Sequence, residues 1–258
     1  VFLNTGPEGF FATGIPVAGE GYYVIIRHML RAILFDCNGV IADDEGIHYQ
    51  LFRDVLKEEG ISLEREEYDQ RYLSFDDRHC FEAVLRDNGR SLDPTHISDL
   101  IKLKAKRYRD AVRGNIKIFP GVCELVRTAV EHYPLAIASG ARREEIAYIL
   151  NEAGIFTCFQ AIVGTEDVQN AKPSPDPFLT ALDRLNSVLC EPDNPLFARD
   201  CLVIEDSVGG IQGARAAGMR CLAVTNTYPA PALAAADRVV ASLEEVMLES
   251  LGALFSGG

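Results

Sequence analysis

Short apolar runs of β type alternate with helical patterns along the second half of this chain, and that alternation limits the possible folds more than any other feature. Leu135-Ala136-Ile137-Ala138-Ser139, Ala161-Ile162-Val163-Gly164, Cys201-Leu202-Val203-Ile204, Cys221-Leu222-Ala223-Val224 and Arg238-Val239-Val240 read as strands. Between them, Glu144 to Asn151, Pro177 to Leu189 and Val208 to Ala217 read as helices. Gly154 and Gly218 stand where helix C-terminal caps fall, and Ser174-Pro175-Asp176 opens the second helix. A strand that is apolar at every position is buried on both faces. The pattern therefore predicts a parallel sheet with helices on either side.

One more apolar run, Ile33-Leu34-Phe35, lies far upstream and ends at Asp36. Between it and Val122 the chain changes character. Ile47 to Tyr108 is rich in Glu, Arg, Lys and Leu, without a strand pattern. His48, Leu51, Phe52 and Val55 recur at helical steps, as do Phe81, Val84 and Leu85. Ile118-Phe119-Pro120-Gly121 marks the return to the sheet. The expected fold is α/β: a Rossmann-like parallel sheet core from 29–46 and 116–258, with a small helical domain, 47–115, inserted after the first strand. Residues 1–28 are read as an extension outside the fold. They are glycine-rich at the start, lack a secretory-type apolar core, and precede Met29-Leu30-Arg31-Ala32, which leads into the first strand as a natural start would. A GTG start codon at Val1 is the other reading.

The net charge is -13, from 25 basic and 38 acidic side chains. Such a surface repels phosphate backbones, so nucleic acid is not an expected partner, and an anionic substrate needs a local cation. Seven cysteines are scattered without a Cys-x-x-Cys pair, the pattern of reduced cysteines in a cytoplasmic protein. No apolar run approaches the ~18 residues of a membrane helix. A monomer or homodimer is expected.

Ligands of open α/β sheets bind beyond the carboxyl ends of the strands. Asp36 follows the first strand, Ser139 the second and Glu205-Asp206 a later one, while Lys172 lies in the loop after Gly164. One strand-end carboxylate is common in any sheet; this set in this order is specific. Phe35-Asp36-Cys37-Asn38-Gly39-Val40, Ile137-Ala138-Ser139-Gly140, Lys172-Pro173-Ser174-Pro175-Asp176-Pro177-Phe178 and Val203-Ile204-Glu205-Asp206-Ser207-Val208-Gly209-Gly210-Ile211 resemble the four motifs of the haloacid-dehalogenase-like phosphatase superfamily. The helical insertion is similar to that family's small cap, and the motif wording is similar to the phosphoglycolate-phosphatase and β-phosphoglucomutase group. The resemblance implies that Asp36 attacks phosphorus and forms an aspartyl-phosphate. It implies a Mg²⁺ ion held by Asp36, Asp206 and the backbone carbonyl of Asn38, with Glu205 as a direct or supporting partner. Ser139 and the Gly140 amide would hold phosphoryl oxygens, and Lys172 would stabilise the charge that develops.

The family's first motif reads Asp-x-Asp-Gly, and its second aspartate protonates the leaving alkoxide and then activates water. Asn38 stands there instead. An amide has no proton to exchange near neutral pH, and losing acid–base help costs about 10²- to 10⁴-fold. Asp43, Asp44, Glu45 and His48 follow closely and could supply a base; His48 stands where the sugar-phosphate branch has a hinge histidine. Asn38 could equally be a substitution made to trap a complex, or mark a different reaction. The dehalogenase branch works without the metal, which Glu205-Asp206 opposes. The phosphonate-cleaving branch needs a cap lysine, and Lys57, Lys102, Lys104 and Lys106 stand in no matching motif. The function expected is a Mg²⁺-dependent phosphatase-type hydrolase of a small phosphorylated metabolite, slowed at Asn38, whose turnover Asn38→Asp raises. A sugar phosphomutase and a weakened phosphate-binding protein are the alternatives. In the loop before Phe81, Arg78 either holds a distal anionic group of the substrate or pairs with Asp76 or Asp77.

Overall fold

Each of the six apolar runs becomes a strand. The structure, a computed structural model, describes residues 29–73 and 75–256, so the reading of residues 1–28 lies outside the described residues. The strands are β1 (Ala32–Phe35), β2 (Leu135–Ala138), β3 (Ala161–Val163), β4 (Cys201–Glu205), β5 (Arg220–Val224) and β6 (Arg238–Val240). They pair in parallel as one sheet in the order β3-β2-β1-β4-β5-β6. β1 is wholly buried because its side chains serve both faces. Ile33 and Phe35 join one apolar layer, Ala32 and Leu34 the other. The strand order reverses between β1 and β4, which opens a crevice at their carboxyl ends. Phe35 lies beside Ile137 on one side and Ile204 on the other, so Asp36, Ser139 and Glu205 emerge close together.

The insertion after β1 contains α1 (Glu45–Glu58), α2 (Arg65–Arg71), α3 (Asp77–Asp87) and α4 (Pro94–Val112). Phe52, Tyr68, Phe81, Leu85 and Ile97 belong to an apolar cluster separate from the two that flank the sheet. Asp76 caps α3 by accepting from the His79 N–H at 2.8 Å, and Asp93 caps α4 from Thr95. The sequence placed the insertion's edge at Ile47; α1 begins earlier, at Glu45, whose carboxylate favours a first turn. α4 ends at Val112, inside the expected edge at 115. The chain enters and leaves the insertion through two segments that pair with each other. Asp43 N–H donates to the Lys117 carbonyl at 2.8 Å and Phe119 N–H to the Ile41 carbonyl at 3.0 Å.

Against the sheet pack α5 (Val122–Ala129) and α6 (Arg143–Glu152) on one face, and α7 (Asp176–Leu189) and α8 (Val208–Ala216) on the other. The short α9 (Leu248–Leu251) joins the first of these layers. Ser207 is the N-cap of α8, its hydroxyl accepting from the Gly210 N–H at 3.0 Å. That leaves Asp206, which could have served as the cap, free to face the crevice. All seven cysteines are free. Among the described residues, no helix is long and apolar enough to cross a membrane.

Candidate active site

Asp36 leaves the end of β1 with its N–H on the Ile204 carbonyl, so its backbone is locked to β4. Its Oδ1 lies 3.0 Å from Lys172 Nζ, and the same ammonium sits 2.5 Å from Glu205 Oε1. One lysine thus bridges two buried carboxylates. Burial pushes the Asp36 carboxyl up; Lys172 opposes this, Glu205 adds to it, and the net pKa is raised. Glu205 is fully buried, and Oε2 accepts from Asp206 N–H, Ser207 N–H and the Ser207 hydroxyl, each at 2.9 Å. Burial alone would raise its pKa, but Lys172 and these donors hold it below the ordinary value. At Asp206 the balance goes the other way. Burial, then Glu205 and Asp36, push its carboxyl well up, against the hydroxyl of Thr227 that donates to Oδ2.

Asp36, Glu205 and Asp206 each bring one carboxylate oxygen within 4.8 Å of the others. One ammonium among three carboxylates leaves the set negative, and Asp36 Oδ1 has no aligned hydrogen bond despite its nearness to Lys172. Crowded hard oxygen donors with surplus negative charge are the donor set that suits Mg²⁺. Two glycines make the crowding possible. Gly39 has φ +78°, and a Cβ there would overlap the Asp206 carboxylate; one on Gly210 would overlap that of Glu205.

Asn38 faces a second polar cluster. Its Nδ2 donates to Asp44 Oδ2 at 2.7 Å and to Glu145 Oε1 at 3.2 Å, and lies 3.1 Å from His48 Nε2. Asp44 is buried, also accepts from the Tyr108 hydroxyl, and has its pKa lowered: burial raises it, but His48 and the hydrogen bonds prevail. His48 stacks on Tyr108 with ring centroids 4.8 Å apart, and its Nδ1 lies 2.8 Å from Lys104 Nζ. Burial and Lys104 push the imidazolium pKa down, yet Asp44 and the bonds to Asp44 and Glu145 carry it up to about 10. Lys104 is buried and held by Asp77. Asp44, His48 and Glu145 also come within metal-binding range of each other. Asp44 Oδ2 and Glu145 Oε1 are tied into a hydrogen-bonded network with Asn38, Tyr108 and His48, while Asp44 Oδ1 is buried without a partner.

Both clusters open on one cavity of about 370 Å³. Asp36, Asn38, His48, Arg78, Ser139, Gly140, Lys172 and Asp206 all line it, while Glu205 supports it from behind through Lys172. The sequence-based pairing of Arg78 with Asp76 or Asp77 is corrected. Asp76 caps α3 and Asp77 turns inward to Lys104, so the half-exposed Arg78 lies 3.7 Å from Glu82, one turn along. Of the substitute bases, Asp43 is exposed, Asp44 is sealed in the network, and Glu45 lines the cavity while accepting from the Tyr68 hydroxyl. Sequence reasoning missed Glu145 and Thr227, and named Lys104 only as a cap lysine in no matching motif. Glu145 is in the first turn of the helix after β2, and Thr227 in the loop after β5, so strand-end logic applied to every strand would have reached both.

A family profile described as haloacid dehalogenase-like hydrolase matches residues 33–224. The chain is 29% identical to Protein CbbY from Rhodobacter capsulatus, over 77% of this chain and 87% of that protein. It is also 29% identical to fructose-1-phosphate phosphatase YqaB from Escherichia coli, over 72% of this chain and 92% of that one. The crystal structure of CbbY from Rhodobacter sphaeroides in complex with phosphate superposes with a TM-score of 0.74 at 26% identity, covering 84% of this chain and 96% of that one. With strand-end carboxylates, lysine and insertion all in place around one crevice, this chain belongs to the haloacid dehalogenase-like hydrolase family.

Proposed function

We propose that the protein is a Mg²⁺-dependent phosphohydrolase that releases phosphate from a small phosphomonoester, with Asp36 as its nucleophile. The convergence of Asp36, Lys172, Ser139 and Asp206 on one cavity mouth carries this reading. An Asp36 oxygen attacks phosphorus and the leaving oxygen departs, giving an aspartyl-phosphate that water then cleaves. Lys172 offsets charge on the transferring group, and the Ser139 hydroxyl and Gly140 N–H orient its oxygens. Asp36, Asp206 and the Asn38 main-chain carbonyl would hold Mg²⁺, with Glu205 behind them. When bound, the ion neutralises repulsion between carboxylates and phosphate. Glu45, His48, Phe52, Tyr68 and Phe75 form the insertion's side of the cavity, so α1–α4 act as a cap that excludes water and selects the substrate's far end. A phosphatase among the relatives, and phosphate bound in a related structure, support the substrate class.

The test is phosphate release from a panel of phosphomonoesters. With Mg²⁺ the protein turns over; EDTA stops it; Asp36→Asn lowers turnover by more than about 10³-fold. Release that survives Asp36→Asn would sink the nucleophile assignment.

A further inference from the structure

Carboxylates crowded around one ammonium repel one another, and each turns away unless something holds it. Lys172 holds Asp36 and one oxygen of Glu205, and three donors hold the other Glu205 oxygen. Asp206 is held from another quarter. The Thr227 hydroxyl donates to its Oδ2, from the loop that follows β5. The residue before it, Asn226, donates through Nδ2 to the Gly39 carbonyl at 2.8 Å, 187 positions back along the chain.

That loop starts from a fixed point, with Thr225 N–H on the Val240 carbonyl of β6 at 3.0 Å. β4 stands between β5 and β1, so the loop crosses the end of β4 to reach the turn after β1. The three segments meet closely. A Cβ on Gly39 would overlap the Asp206 carboxylate and come within 2.9 Å of the Thr227 hydroxyl oxygen. Within the turn, Gly39 N–H donates to the Ala42 carbonyl at 2.9 Å. A trans peptide is planar, so the Asn38 carbonyl of the same unit points the opposite way. Asn226 fixes the next peptide unit, and both units that flank Gly39 are then pinned.

We propose that Asn226 and Thr227 are positioning residues for the cation: Asn226 fixes the turn that carries the Asn38 carbonyl, and Thr227 fixes the Asp206 carboxylate. Two ligands from distant segments thereby keep their places beside Asp36. This rests on the Mg²⁺-dependent reading and deepens it. The chemistry of the two donors suits the task, because both are neutral. A lysine or arginine at position 227 would act as a counter-ion to Asp206 and compete with the metal. A hydroxyl aligns the carboxylate and leaves its charge for the ion.

The experiment uses Mn²⁺, which takes the same oxygen donors as Mg²⁺ and whose electron paramagnetic resonance separates free from bound ion without substrate. Mg²⁺ affinity follows by competition. Thr227→Val keeps the branched shape and removes the hydroxyl. It is expected to weaken Mn²⁺ binding by about 10- to 100-fold, and Asn226→Ala to weaken it in the same direction. Thr227→Ser restores the donor and is expected to bind Mn²⁺ as wild type does. Each variant is first shown to be folded by circular dichroism, so the affinity reports the site and not the fraction folded. Mn²⁺ bound by Thr227→Val or by Asn226→Ala as tightly as by wild type overturns the inference. So does a loss in Thr227→Ser equal to that in Thr227→Val, since packing and not the hydroxyl would then be responsible. Wild-type protein that binds neither ion refutes instead the Mg²⁺-dependent reading beneath it.

Discussion

A hydrogen atom is all the room that Glu205 leaves at position 210. The glutamate cannot swing aside, since Lys172 holds one oxygen and the Asp206 and Ser207 amides the other. Gly210→Ala must therefore displace either the start of α8 or the carboxylate that steadies Lys172. Overpacking of this kind costs about 1–3 kcal/mol. In a protein of this size that is about 2–4 °C of melting temperature per kcal/mol. The variant is expected to melt lower and to release phosphate more slowly; a Gly210→Ala protein as stable and as active as wild type would refute the steric argument. Asn38 teaches the complementary lesson. Read alone, it is a missing acid; among its neighbours, it is a donor placed between two carboxylates.

Single residues also join elements. Asp167 sits in the turn after β3 and is gripped by Arg143 of α6 at 2.6 Å and Arg184 of α7 at 2.7 Å, with the Gly164 N–H at 2.9 Å. α6 and α7 lie on opposite faces of the sheet, so this carboxylate ties the two layers together at the edge strand. The Arg184 hydrogen bond outweighs burial and, with Gly164 and Arg143, holds the Asp167 carboxyl below its ordinary 3.8. A lowered folded-state pKa means the stabilisation is complete above 3.8 and is lost as pH falls below it toward the folded value. Because the arginines are partly exposed, we expect Asp167→Asn to cost roughly 1–3 kcal/mol near neutral pH. The gap between the two melting curves should narrow on acidification from pH ~7 to ~3. A gap of constant width would show that the carboxylate's charge contributes nothing.

Across the molecule, the site lies between two bodies of apolar packing that the chain connects twice. The sheet layers and the insertion each have their own cluster, and the segments at 41–43 and 117–119 run antiparallel between them. Asp36, Lys172 and Asp206 come from one side, and His48, Phe52 and Arg78 from the other. If the insertion closes over the crevice, inorganic phosphate with Mg²⁺ should slow amide hydrogen exchange in α1 and α3 more than in β1–β6. Protection spread evenly over the chain, or confined to the strand ends, would remove the cap role from these helices.

The fold and half of the site follow from short stretches of chain. A strand buried on both faces must be apolar throughout, so its end is marked by the first polar residue, and Asp36, Ser139 and Glu205-Asp206 are readable for that reason. Lys172 was placed by its motif, and the insertion by its helical spacing. The start of α8 at Val208 was legible, while α1, α6 and α7 begin one or two residues before the positions read, since the first turn depends on capping contacts. Pairings between distant segments were not legible. Glu145 is 107 positions from Asn38, and Thr227 is 21 from Asp206. Nothing local in either segment names its partner. Sheet order does: placing β1 between β2 and β4 brings the first turn of α6 and the loop after β5 to the same crevice. Local chemistry therefore determined where Asp36, Ser139, Lys172 and the Glu205-Asp206 pair stand. Long-range packing decided what surrounds Asn38, because partners in a buried network are chosen by proximity in space, which the strand order alone sets.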